Sequence, residues 1–312
     1  MKAVCSAHAL RYKELTVCTH LTFYEVQPFL SSHHYLKELT AINILVTLDS
    51  GYLGPLCVML HSLCESNPTA EFRIFVAHTS LTESDFVRIE AAVSIDRCQV
   101  ENIHVPQDKF PGLPYSKRWP QEACYRIFAA HILPADLDRV LYLDPDIVII
   151  NCVKQLYNID LQGMSFAACT HQFQPMQSVN RVRLKMTPQS VYINSGMMLM
   201  DLNRLRAEQQ VEEVLEYYRN NKNRIHLFDQ DILNGLYCEQ TLAIDPLMYN
   251  LDERYYKIHN INPYRKSNKI DHEWVTENAV VIHFCGKSKP WNPGYKGRFG
   301  ELFYDRFAKE AD

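Results

Sequence analysis

The chain has 312 residues, is 47% hydrophobic and 22% charged, and carries a formal net charge of -4. These are ordinary globular values: they exclude wholesale disorder and a coiled coil, and the charge gives no basis for nucleic-acid binding. No apolar run approaches the roughly 20 residues of a membrane-spanning helix, and residues 1 to 40 scatter His, Lys and Glu where a secretion signal needs a basic start, an apolar stretch and a small-residue cleavage site.

The chain therefore reads as cytoplasmic, and its length permits a single large α/β unit. Its 10 Cys read as reduced, mostly buried thiols, and no C-x-x-C pair is present to hold zinc. Residues 1 to 40 look detachable. The first strand is Ile42 to Leu48, a β-branched run that stops at the turn signal Asp49-Ser50-Gly51. Leu56, Met59, Leu60 and Leu63 then recur at helical spacing, and Phe72 to Ala77 gives a second strand. Thr82 to Val93 reads as a helix with Thr82 as N-cap and Asp85 closing a near capping box. Alternation of strand and helix implies a mostly parallel sheet with helices on both faces.

A Pro-rich loop, Pro106 to Pro120, leads to a predicted helix over Gln121 to Ile132. Arg139 to Leu143 follows as a strand apolar enough to be covered on both faces. At its carboxyl end stands Asp144-Pro145-Asp146, the place where open α/β sheets gather ligands. Proline disfavours helical backbone at Asp144, and in extended chain residues two apart point to one side. Two carboxylates so held between apolar runs repel unless a cation neutralises them or one is protonated. A divalent metal answers this; an acidic turn open to water is the structural alternative.

Two further clusters follow. In His226 to Asn234 an apolar lead-in meets Asp229, Gln230 and Asp231 at a helix start, where Asp229 reads either as N-cap or as a ligand for sugar hydroxyls. Val280 to Trp291 contains a strand that ends at His283, then Gly286, Lys287 and Lys289. The glycine allows close backbone approach, and the lysines are either solvated or within reach of phosphates. Mixed imidazole and carboxylate ligation suits Mn²⁺ better than Ca²⁺. Asn250 to Asp271 reads as an irregular excursion from the sheet.

In this order the clusters resemble glycosyltransferase family 8, the retaining family that includes bacterial lipopolysaccharide galactosyl- and glucosyltransferases and glycogenin; the similarity runs from about Ile42 to Trp291. The resemblance implies a GT-A-type single domain over residues 41–291, with a Rossmann-like, mostly parallel central sheet and a small additional β element. It implies Asp144, Asp146 and His283 as ligands of Mn²⁺, or Mg²⁺ in its place, and UDP-glucose or UDP-galactose as donor. It matches Asp49 and Tyr52 to the uracil base, Arg126 and Asn194 to the donor sugar, and Gly286 and Lys289 to the diphosphate. Asp229 and Gln230 match the pair that borders the anomeric carbon. Some bacterial members place a sugar-binding aspartate near His171, so the transferred sugar stays open. The implied acceptor is a saccharide or a lipid-linked glycan, its pocket built from loops such as Pro106 to Pro120 and Gln172 to Pro188.

Retention requires a covalent intermediate, for which Gln230 holds the corresponding position, or front-face attack by the acceptor, which is the preferred reading. Rival readings are a nucleotidyltransferase making NDP-sugars, which lacks its glycine-rich loop here, and a non-catalytic nucleotide-sugar-binding protein. No G-x-G-x-x-G follows a strand, which disfavours a NAD-dependent dehydrogenase. Residues 292–312 mix aromatic and basic side chains; they read either as a peripheral contact with the inner face of a membrane or as a final amphipathic helix packed on the domain.

Overall fold

The computed structural model describes residues 41–94, 96–113, 120–170, 174–261 and 269–311. The segment 1–40 and His171 lie outside them. The described residues belong to one compact unit, Leu39–Asp312. Its strands are β1 (Ile42–Thr47), β2 (Phe72–His78), β3 (Cys98–His104), β4 (Arg139–Leu143), β5 (Ile147–Ile149), β6 (Phe166–Ala168), β7 (Met197–Asp201), β8 (Thr241–Ala243) and β9 (Val281–His283). A seven-stranded sheet has the order β3-β2-β1-β4-β7-β6-β8, and β5 and β9 form a small separate sheet. Within the large sheet, β3, β2, β1 and β4 are parallel; β7 runs against both β4 and β6.

The central strands β1, β4 and β7 are buried on both faces because nearly every position in them is apolar, whereas the edge strand β3 is half-exposed. Along β4, Val140 and Tyr142 point into one core while Leu141 and Leu143 point into the other. Leu45 and Ile44 divide in the same way on β1, as do Met198 and Met197 on β7. This is the period-two alternation of a covered strand. The helix Leu53–Glu65 lies over the second face, and Thr82 and Asp85 form the full capping box that starts the helix Glu83–Ala91.

Several expectations are corrected. The helix expected over Gln121 to Ile132 is two short helices, Glu122–Tyr125 and Ala129–Ile132, interrupted where Arg126 turns toward the sheet end. The stretch expected to be irregular contains the nine-residue helix Glu253–Ile261, whose Tyr255 and His259 are buried. The loop expected over Gln172 to Pro188 holds the helix Gln174–Leu184. Cys152 is exposed, unlike Cys57, Cys64, Cys124 and Cys169.

The C-terminal segment corrects the membrane reading. Phe299, Phe303, Tyr304 and Phe307 are buried in a third core with Val58, Val148, Leu251 and Ile282. Those rings cover the small β5–β9 sheet and are not available to a lipid surface. Among the described residues no helix is long and apolar enough to cross a membrane.

Candidate active site

Strand register assembles the site. β1 and β4 are adjacent and parallel, so Asp49 and Asp144 emerge from the same edge of the sheet. β7 pairs with β4 so that Leu143 faces Met197, and the amide of Asp144 donates to the carbonyl of Gly196 at 2.7 Å, which draws Asn194-Ser195-Gly196 up to the aspartates. β9 pairs with β5 so that His283 faces Ile147, and the amide of Phe284 donates to the carbonyl of Asp146 at 2.9 Å. Residues distant in sequence therefore converge because the ends of β1, β4, β7 and β9 do.

One ligand atom each from Asp144, Asp146 and His283 lies within 4.8 Å of the others. His283 Nε2 stands 3.2 Å from Asp146 Oδ1 and 3.8 Å from Asp144 Oδ2. Asp146 Oδ1 is buried and accepts no hydrogen bond. An orphaned carboxylate oxygen in a dry site is costly, and with a second carboxylate and an imidazole beside it the set fits a divalent cation. Packing here is tight: a Cβ on Gly196 would lie 2.2 Å from His283 Cε1 and 2.7 Å from Asp144 Oδ2.

The imidazole is oriented by an amide relay. Gly196 N–H donates to Asn194 Oδ1 at 3.1 Å, which fixes that oxygen as an acceptor. Asn250 Nδ2 donates to the same oxygen at 3.0 Å, so Asn250 turns its own Oδ1 to His283 Nδ1 at 2.8 Å. His283 Nδ1 is then the proton-bearing nitrogen, and Nε2, which faces the aspartates, carries the lone pair a metal needs.

Charge around the aspartates is distributed between two cations. Arg126 is buried; its Nη1 contacts Asp144 Oδ1 at 2.8 Å, and its Nε lies 3.3 Å from Asp229 Oδ2. Lys289 donates to Asp146 Oδ2, and to the carbonyl of Phe284 at 2.9 Å. Burial works to raise the Asp146 carboxyl, but the Lys289 ammonium on its Oδ2 opposes this, and the group is held below the usual carboxylate range. Asp229 differs. Burial pushes its carboxyl up, and Arg126 only partly opposes this.

Asp229 and Gln230 sit in the first turn of the helix Phe228–Tyr237, whose N-cap is Leu227, so Asp229 does not serve as cap. Asp229 accepts from Ser195 Oγ at 3.0 Å, and Gln230 Oε1 accepts from Asn194 Nδ2 at 3.1 Å. Gln230 Nε2 donates to Tyr192 Oη, which donates to Asp231 Oδ1. Asp231 also pairs with Arg183 and accepts from the amides of His226 and Leu227, which anchors the helix start. At the other end of the site Asp49 caps the turn Ser50–Tyr52 by accepting from Gly51 N at 2.8 Å. The Tyr52 ring meets Trp291 edge-on at 6.0 Å and lies 5.9 Å from Lys289 Nζ. Gly286 has φ 95°, in the left-handed region that favours glycine.

Asp49, Tyr52, Arg126, Asp144, Asp146, Asn194, Asp229, Gln230, His283 and Gly286 all line one open pocket of about 430 Å³, and Lys289 borders it through Asp146. Sequence reasoning missed Tyr192, Ser195, Gly196 and Asn250. A signal existed only for Ser195 and Gly196, which share the Asn194 motif. Asn250 lies 33 residues from its partner His283, in a stretch read as irregular.

The comparisons with known proteins agree with this geometry. The model described as glycosyl transferase family 8 matches residues 43–293. A lipopolysaccharide 1,2-glucosyltransferase of Escherichia coli strain K12 is 27% identical over 255 residues, 80% of this chain and 73% of that protein. A lipopolysaccharide 1,3-galactosyltransferase of Salmonella typhimurium is 24% identical over 256 residues, again 80% and 73%. Among solved structures, the galactosyltransferase LgtC, crystallised with donor and acceptor sugar analogues, superposes with a TM-score of 0.74 at 23% identity, covering 86% of this chain and 96% of that one. At that identity the likeness speaks for the fold, which is of the GT-A type. The family match leaves no place for the nucleotidyltransferase reading. Matched to that model over residues 43–293, a span that contains the Asp-Pro-Asp turn and His283, the chain belongs to glycosyltransferase family 8.

Proposed function

We propose that this protein is a retaining hexosyltransferase that moves glucose or galactose from a UDP-sugar to a saccharide or glycoconjugate acceptor, with Mn²⁺ or Mg²⁺ held by Asp144, Asp146 and His283. The observation that carries this reading is the buried, unpartnered Asp146 Oδ1 next to a histidine whose relay turns its lone pair toward it. When bound, such an ion neutralises charge on a departing diphosphate as a Lewis acid.

The remaining steps belong to the chain's own residues. Asp49 offers an acceptor for the uracil base, and Tyr52 offers it a ring. Gly286, at a backbone angle closed to most side chains, lets the chain bend against the diphosphate. Lys289 faces Asp146 and contributes a donor where negative charge develops. Arg126, fixed between Asp144 and Asp229, holds those carboxylates in place for the donor sugar. Asn194 presents an amide to its hydroxyls.

Asp229 and Gln230 border the place where the anomeric carbon would lie. Gln230 is an amide tied to Asn194 and Tyr192, a poor covalent nucleophile. Asp229 is engaged by Ser195 and Arg126. Both facts favour front-face attack by the acceptor hydroxyl over a covalent intermediate. Either route retains configuration, so the retaining reading itself is tested by the anomeric configuration of the product, followed by proton NMR from the first turnovers. A product with the donor's α configuration supports the reading, and a β product overturns it.

A further inference from the structure

We infer that the acceptor is an acidic saccharide, carrying a phosphate or carboxylate group, and that it binds in a basic groove beside the donor pocket; this rests on the donor reading above. The groove has a volume of about 820 Å³ and shares Asn194, Gln230, His283 and Gly286 with the donor pocket, so a molecule in it reaches the same reacting centre.

The two cavities differ in charge. The donor pocket is lined by Asp49, Glu122, Asp144, Asp146 and Asp229 against Arg126, so an anion enters it only with a metal. The groove is lined by Arg254, Lys257, Lys287 and Lys296 against Asp252 and Glu253. Its two acids are turned inward. Asp252 is buried and accepts from the amide of Tyr255 and from Cys285 Sγ. Glu253 is occupied by Lys257 Nζ at 2.8 Å, the Tyr295 hydroxyl, and the amides of Arg298 and Phe299. Arg254, Lys287 and Lys296 are exposed, and among the described residues none has a carboxylate within ion-pair distance. Three cations around a cavity lower the cost of bringing an anion there without any ion.

Saccharide character comes from the other walls. The half-buried Tyr295 ring offers an apolar face of the kind sugar rings cover, and the amides of Asn194 and Gln230, whose oxygens are already engaged, each keep one N–H for a hydroxyl oxygen. An aromatic face, two amides and a ring of cations fit a sugar with an acidic substituent better than a neutral one.

The test titrates the full chain, with chelator present so that the acidic donor pocket repels anions, against glucose, glucose 6-phosphate, glucuronate and inorganic phosphate, followed by ligand-observed NMR. A charge-assisted contact predicts about tenfold tighter binding of an acidic sugar than of glucose. The Arg254→Gln/Lys296→Gln variant loses that advantage, and Arg254→Lys/Lys296→Arg keeps most of it. Tighter binding of glucose 6-phosphate assigns a phosphate, and tighter binding of glucuronate a carboxylate. Equal binding of all three sugars, or inorganic phosphate alone matching glucose 6-phosphate, overturns the inference. So does a variant that weakens UDP binding, measured separately with Mn²⁺, as much as it weakens the acidic sugar, because the cations would then serve the donor. Failure of the wild type to bind UDP with Mn²⁺ overturns the donor reading instead, while the comparison among sugars, made without metal, keeps its own answer.

Discussion

Gly196 sets how closely the metal-ligand candidates approach one another. Any Cβ there would lie inside contact distance of both His283 and Asp144; the His283 ring is buried, and the Asp144 carboxylate is held by Arg126 and the Tyr142 hydroxyl, so neither swings away freely. Gly196→Ala is therefore expected to spread the ligand set and to weaken Mn²⁺ affinity by about 10- to 100-fold while the far-ultraviolet circular dichroism stays native; unchanged affinity contradicts the packing argument. Asn250 acts one bond further out. Asn250→Leu removes the acceptor that holds the proton on His283 Nδ1, and losses of outer partners of this kind cost about 10- to 100-fold in metal affinity or activity. Titration calorimetry with Mn²⁺ checks this, and a loss restored by Asn250→Asp identifies the acceptor oxygen as the feature that matters.

Among the elements, the helix Phe228–Tyr237 depends on a residue placed four positions past its N-cap. Asp231 has no exposed surface; it binds Arg183 through both oxygens and takes the amides of His226 and Leu227. Burial works to raise its carboxyl, but the Arg183, Tyr192 and amide bonds outweigh it and hold it below the ordinary carboxylate value. A depressed carboxyl adds stability above its unfolded value near 3.9, and that stability is lost as pH falls below it. Asp231→Asn leaves Arg183 without its buried partner and is expected to cost about 3 kcal/mol at pH 7. The gap to wild type should narrow on acidification, as read by urea unfolding at several pH values. Elements also mark where sequence reading succeeds and where it stops. β1, β2, β4 and β9 announce themselves as short apolar runs, and the positions at their ends, Asp49, Asp144 and His283, follow from that. β3 is harder to see, since Cys98–His104 is a half-exposed edge strand with Gln99, Glu101 and Asn102 in it. Tyr192 and Asn250 are illegible for another reason: each acts through a partner brought near only by tertiary pairing, and no local pattern encodes a hydrogen bond across 33 or 39 residues.

For the molecule as a whole, the C-terminal segment completes the core. Phe299, Phe303 and Phe307 close the small sheet that carries His283, and the Asp305–Ala308 helix packs against the Leu53–Glu65 helix. Phe303→Ala should cost about 3 kcal/mol, as large-to-small core changes do, with a lower thermal midpoint and no change in sedimentation with anionic vesicles. A variant that kept its midpoint would return the segment to the surface. The proposed catalytic site requires the edge of the large sheet, the small sheet and the helix start to act as one. Its most direct measurement is UDP release from UDP-glucose and UDP-galactose with Mn²⁺, before and after chelation, in wild type and in Asp146→Ala. Turnover of one donor that stops on chelation, resumes with Mn²⁺ and falls by at least about 100-fold in the variant is the predicted result. Turnover that survives both chelation and Asp146→Ala would contradict it.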